Sequence, residues 1–171
     1  MTQHDETPQT TDNITIRVYD ADDVSTAAEA STADPKRTYE THNATRAAYH
    51  EEVIAGLAGD VGPDIEVDAL ALGDSTAPTA DLNAMELLGN EVFRAPVTDR
   101  APSGQTLNVT LFIDATEANG LTFEEAALVA ERGIGDLPIN RFLIDDPGGL
   151  LNPKSRDETV TINIEITQQD A

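Results

Sequence analysis

The chain has three histidines, His4, His42 and His50. His4 falls in a polar N-terminal stretch, His42 precedes a helical pattern, and His50 lies on the apolar stripe of that pattern. No His-x-x-x-His or Glu-x-x-His spacing brings two metal ligands onto one helical face. His50 therefore reads as a partly buried, hydrogen-bonded histidine. There is no cysteine, so disulfides and thiolate chemistry are both excluded. No nucleophile-elbow motif occurs, and neither of the glycine-rich phosphate motifs does. Asp20, Asp22 and Asp23 resemble the start of a calcium loop, but the glycine and the distal glutamate of an EF-hand are missing. The competing reading is a solvated acidic face, and Asp145-Asp146 ahead of Pro147 is read the same way. Sequons begin at Asn13, Asn43 and Asn108, and without a secretion signal they are chance occurrences. No residue is assigned to catalysis, to a cofactor or to a metal.

The cations are few enough to single out. Ten Lys and Arg stand against 32 Asp and Glu, for a formal net charge of −22. Glu91 and Arg94 lie three apart at the end of a helical pattern, where they can pair on one face. Arg141 heads an apolar strand, and Lys154 sits in the loop after it. A structural salt bridge is the expectation for each. The overall imbalance repels itself in dilute salt. In molar salt the Debye length falls to roughly 3 Å and that repulsion is screened. Such a chain suits brine or a salt-rich cytoplasm. An acidic disordered chain would have a similar balance, but several segments here have clear strand or helix periodicity. Clustered cations for phosphate contacts are missing, which counts against nucleic acid. The first residues have neither a basic start nor an apolar run, and no apolar run approaches a membrane span. The expectation is synthesis in a cytoplasm with no membrane insertion.

The elements that must position these residues follow from the periodicity. A length of 171 residues corresponds to one domain. Residues 1 to 13 read as an extended arm. Ile14, Ile16 and Val18 alternate with Thr15, Arg17 and Tyr19 as a half-buried strand, and residues 20 to 42 read as a long acidic loop. Asn43 can cap a helix carrying Ala47, His50, Ile54 and Leu57, stopped at Gly59. The run Ile65 to Leu72, ending at Gly73, does not alternate, so it is covered on both faces. Asp81 to Arg94 reads as a short helix with Leu82, Met85 and Leu88 on one side. Pro96 and Pro102 bracket a connection. Leu107, Val109, Leu111 and Ile113 form a strand, and Asn119-Gly120 a turn. Thr122 and Glu125 have capping-box spacing, yet the same stretch could be an apolar strand. Ile139 to Ile144 is a strand, and Val160, Ile162, Ile164 and Ile166 form the clearest one. The sum is a mainly β chain, an antiparallel β-sandwich with one or two short helices.

The order of these motifs over residues 44 to 167 resembles a small β-sandwich domain of tailed-virus structural proteins, found in tail fibres and baseplate-associated proteins of phages and haloarchaeal viruses. The matching positions are the helix Arg46 to Leu57, Leu72-Gly73, Ala77-Pro78, the Leu88, Glu91 and Arg94 triplet, Asn119-Gly120, Glu125 before Ala126 to Val129, Arg141 to Ile144, Lys154, and the last strand Val160 to Ile166. The resemblance makes Phe123 to Val129 a strand. It divides the chain into an N-terminal part, residues 1–43, and a virion β-sandwich domain, residues 44–171.

The resemblance implies a non-enzymatic virion component of the tail tip, fibre or baseplate, acting in assembly or host attachment. Its partners would be other virion proteins, further copies of itself and a host surface receptor. A capsid turret or decoration protein of the same virus is one alternative, and a cellular halophilic ligand-binding β module is another.

Overall fold

Val160, Ile162 and Ile164 occupy the centre of an apolar surface three strands wide. β1 (Thr10–Asp20), β6 (Thr106–Ile113) and β10 (Glu158–Gln168) run antiparallel with β10 in the middle. Their register sets Ile14, Ile164 and Val109 in one row, Ile16, Ile162 and Leu111 in the next, and Val18, Val160 and Ile113 in the third. All are at most 1% exposed, and burying each such side chain stabilises the fold by about 1.5–3 kcal/mol. The computed structural model describes residues 10–44, 53, 55, 57, 58, 65–74, 90–133, 135–144 and 153–168.

β2 (Arg37–Ala44) adds to β1 and β5 (Asp99–Ser103) adds to β6, giving the order β2-β1-β10-β6-β5. A second sheet contains β3 (Ala69–Gly73), β4 (Glu91–Pro96), β7 (Glu125–Ala130), β8 (Leu137–Pro138) and β9 (Phe142–Leu143). Its order is β4-β3-β7-β8, with β9 also on β7. Every pairing is antiparallel. Leu70, Leu72, Ala126 and Leu128 pack into one core with the three apolar rows of the first sheet, so the fold is an antiparallel β-sandwich. Ala69, Ala71, Ala127 and Val129, on the other face, are buried as well. That double burial explains why neither strand alternates in sequence.

Several expectations are corrected. Residues 20 to 42 are not a long loop. They contain the short helix α1 (Ala27–Ala30) and most of β2. Thr26 accepts from the Glu29 N–H while the Glu29 carboxylate accepts from the Thr26 N–H, a capping box. β2 escapes periodicity because it is an edge strand, in which Tyr39 packs against the core. β1, from the same N-terminal part, lies inside the first sheet between β2 and β10. The connection expected between Pro96 and Pro102 holds β5, whose residues are all exposed.

β5 joins β6 through Gly104-Gln105, and Gly104 has φ +61°, as the first position of a type II′ hairpin turn requires. In such a hairpin Ser103 exchanges ladder bonds with Thr106, so alternate residues back to Asp99 face β6 and Pro102 faces the open edge. Lacking an N–H there, Pro102 blunts the edge against further pairing.

The helix expected from Asp81 to Arg94 is corrected at its end, because Glu91 to Pro96 is β4; residues 81–89 lie outside the described part. Asn43 belongs to β2 rather than capping a helix. Val53, Ala55 and Leu57 are helical, but Leu57 is 80% exposed and does not join the core. Glu125 to Ala130 is a strand, so the capping-box reading of Thr122 and Glu125 fails. The strand expected over Ile139 to Ile144 is broken, because the Asn140 side-chain oxygen accepts the Leu128 N–H at 3.0 Å in place of a ladder carbonyl.

Candidate functional site

Strand alternation that sends the apolar rows inward also builds a polar outer face on the first sheet. Arg17, Thr161 and Phe112 form one outward row, and Thr15, Asn163 and Thr110 the next. The segment carrying α1 folds over one side of this face. Tyr19 donates its hydroxyl to the Ala30 carbonyl at 3.1 Å, and Thr159 donates to the Val24 carbonyl at 3.1 Å. Tyr19, Val24 and Ala30 make a small second core with Ala33 and Phe112. Between this cover and the β5–β6 edge lies a groove of about 520 Å³. Its lining includes Arg17, Thr161, Thr110 and Asn163 from the sheet, Ala27 and Ala28 from α1, and Thr98 and Asp99 at the start of β5.

One group in this groove is unsatisfied. Thr161 is 4% exposed and its hydroxyl has no hydrogen-bond partner; leaving such a group unmatched costs about 1–3 kcal/mol. Arg17, its cross-strand neighbour, is half-buried and pairs with no side chain among the described residues. By contrast Arg37, Arg94, Arg100 and Arg141 each hold a carboxylate. Thr110 donates to the Asn163 side-chain oxygen at 3.0 Å, which turns the amide nitrogen of Asn163 away from that bond.

The cations singled out in the sequence sit at joints of the sandwich. Arg141 pairs with Glu125, which is 0% exposed, as the expected salt bridge. Gly73 lies against the same carboxylate. A Cβ there would come within 2.8 Å of Glu125 Oε1 and 2.9 Å of the Asn90 carbonyl oxygen. Gly73→Ala is expected to destabilise the protein by about 1–3 kcal/mol, read as a lower denaturant midpoint at unchanged slope. Glu91 and Arg94 do pair, at 2.8 Å, but from a strand. The register steps from Leu72↔Phe93 to Gly73↔Glu91, so Val92 is an extra, bulged residue. That extra residue returns Glu91 and Arg94 to one face. Arg94 also reaches Asp136 at 2.7 Å and Glu131 at 3.2 Å.

The salt bridge expected for Lys154 is corrected. Its ammonium donates to Asn119 Oδ1 at 3.2 Å and to the Ser155 carbonyl at 3.3 Å, and no carboxylate among the described residues lies within ion-pair distance. The Gly120 N–H donates to the Lys154 carbonyl at 3.0 Å, and the Lys154 N–H donates to the Leu121 carbonyl at 3.2 Å. The Asn119-Gly120 turn, with Gly120 at φ +77°, is thereby clamped to the chain entering β10. Lys154 is 2% exposed, and burial lowers its pKa against the opposing pull of Asp114, Glu158 and Glu117. Between that lowered value and the unfolded value of 10.5, the unfolded chain binds a proton that the native chain does not. Stability from this group should therefore rise with pH across that window. Lys154→Met should flatten the rise, measured as the mutant-minus-native difference in unfolding free energy through an alkaline series.

Asp20 ends β1, and Asp22 and Asp23 follow it in a turn. The Asp20 carboxylate accepts from Lys36 at 2.7 Å, and its carbonyl accepts the Asp23 and Val24 N–H groups. Among the described residues no group of three or more His, Asp and Glu gathers that could hold a metal ion. None of the helices among them is long and apolar enough to cross a membrane. Asn13 and Asn108 are exposed on the outer face of the first sheet, and Asn43 lies in β2. His42 lies in β2. His4, His50, Ala77-Pro78, Leu88 and Asp145-Asp146 lie outside the described residues.

The groove residues Arg17, Thr161 and Asn163 were not singled out in the sequence. The available signal was a lone arginine on the polar face of a strand in a chain poor in cations. No family model matches the chain, and no curated protein and no solved structure matches it either.

Proposed function

We propose that this chain is a structural component of a haloarchaeal tailed-virus particle, placed at the tail tip, fibre or baseplate, and that it works by binding rather than by catalysis. One observation carries the reading. Among the described residues on which the resemblance rests, several tie parts of the sandwich together: Gly73 against Glu125, Glu125 with Arg141, Glu91 with Arg94, and Asn119 with Lys154. A motif set made of joints marks an architecture, whereas the motif set of an enzyme marks reacting groups. The net charge of −22 adds the expectation of a salt-rich setting, where acidic surfaces approach one another without long-range repulsion. Other virion proteins and further copies of the chain are the partners this reading calls for, with a host surface receptor if the role is attachment.

A second reading, a cellular ligand-binding β module, is favoured by the groove with its unpaired Arg17. Cross-linking mass spectrometry on purified particles kept in molar salt separates the two. Links from this chain to baseplate or tail-tube proteins are the expected result. Links to the major capsid protein would move it to a turret or decoration. Its absence from particles would overturn the virion reading in favour of the cellular module.

A further inference from the structure

We propose that the groove on the outer face of the first sheet is a binding site for a carboxylated sugar. The argument begins with Arg17. In a chain with 32 carboxylate side chains, a half-buried guanidinium that pairs with none of the described ones is kept available for an anion from outside. A guanidinium offers two parallel N–H donors, which match a carboxylate better than they match a single hydroxyl.

The rest of the lining narrows the ligand. Asp99 at the rim is an acceptor when ionised and repels a bare anion, so the ligand must also carry donors. Sugar hydroxyls supply them. Thr161, beside Arg17 in the β1–β10 register, has a buried hydroxyl with no partner, and the Asn163 amide nitrogen is turned from its Thr110 bond. These groups exchange hydrogen bonds with hydroxyls as readily as with a carboxylate. Ala27 and Ala28 give the opposite wall a smooth apolar surface, suited to the C–H face of a sugar ring. A volume of about 520 Å³ lies within the range of small-molecule sites. The inference stands whether the chain belongs to a virion or to a cell, because it uses the groove alone.

The test is a titration of the full chain with glucuronate in molar salt, followed by amide chemical shifts. Shifts centred on Arg17, Thr161 and Asn163 are expected, with glucose and acetate each binding about 10-fold or more weaker because each lacks one half of the recognition. Arg17→Leu should weaken glucuronate binding about 10- to 100-fold. Arg17→Lys, which keeps the charge and loses the fork, should fall between. The dispersion of each variant's amide spectrum reports that it is folded. Glucuronate that shifts nothing in the groove, or that binds the folded Arg17→Leu variant as well as the native chain, would overturn the proposal. Equal binding of acetate or of an aspartate-rich peptide would also overturn it, replacing a sugar site with a general carboxylate site.

Discussion

Arg141→Ala is expected to remove about 3–5 kcal/mol of stability, a large share of the about 5–15 kcal/mol that holds an ordinary domain folded. Glu125 is 0% exposed at the head of β7, and Arg141 is its ion-pair partner from the chain between β8 and β9. Removing the guanidinium leaves a carboxylate sealed in a low-dielectric site beside Gly73, where a shift of the side chain meets backbone. Taking both charges away is a different experiment. Glu125→Leu combined with Arg141→Met should cost far less than Arg141→Ala alone, because replacing a buried pair by apolar groups of similar volume is often neutral or stabilising. Denaturant unfolding of both variants at one fixed salt concentration decides the matter. If the double variant is no more stable than the single one, the loss comes from packing at this joint and not from the stranded charge.

Transfer from molar to about 0.1 M salt lengthens the screening distance from roughly 3 to 10 Å, and the expected result is loss of the folded state or of most of its cooperativity. The chain carries 32 acidic side chains against ten basic ones, and a domain holds only about 5–15 kcal/mol against all repulsions together. Lowering the pH toward the sequence pI of about 4.1 should restore folding in dilute salt by discharging carboxylates. Circular dichroism across a grid of salt and pH measures this. Sucrose is the control, because it strengthens burial through exclusion from the surface without screening charge. Rescue by sucrose equal to rescue by salt would mean that a weak core, rather than repulsion, is what salt corrects.

The strands carrying the core were legible because alternation is a direct image of one buried face. Ile14, Ile16 and Val18, Leu107 to Ile113 and Val160 to Ile166 all fall where their periodicity sets them. The edges were not legible. β2 and β5 pair on one side only and carry Arg, Glu, Thr, Asp and Pro, so nothing in their composition distinguishes them from loops. At Glu91 and Arg94 the pairing was right and the element wrong. A bulged Val92 gives a strand the three-residue spacing that marks a helix face. Arg141 showed itself as a cation needing a carboxylate, but the identity of Glu125 as that partner depends on how β9 returns to β7. The groove was hidden for a related reason. Arg17 and Thr161 become neighbours only through the pairing of β1 with β10, which no local pattern announces.

That same pairing has a consequence for how the chain is made. β10 lies between β1 and β6, and without it the first sheet is two separate ribbons, β2 with β1 and β5 with β6. A ribosome adding about 5–20 residues per second delivers Ile14, Ile16 and Val18 many seconds before Val160, Ile162 and Ile164 exist to cover them. During that interval the nascent chain presents an uncovered apolar stripe, and where salt screens charge the acidic residues flanking it do not keep neighbouring chains apart. The stripe is closed only when β10 pairs with β1 and β6, so the interval before β10 emerges is when the chain is most open to association with its neighbours.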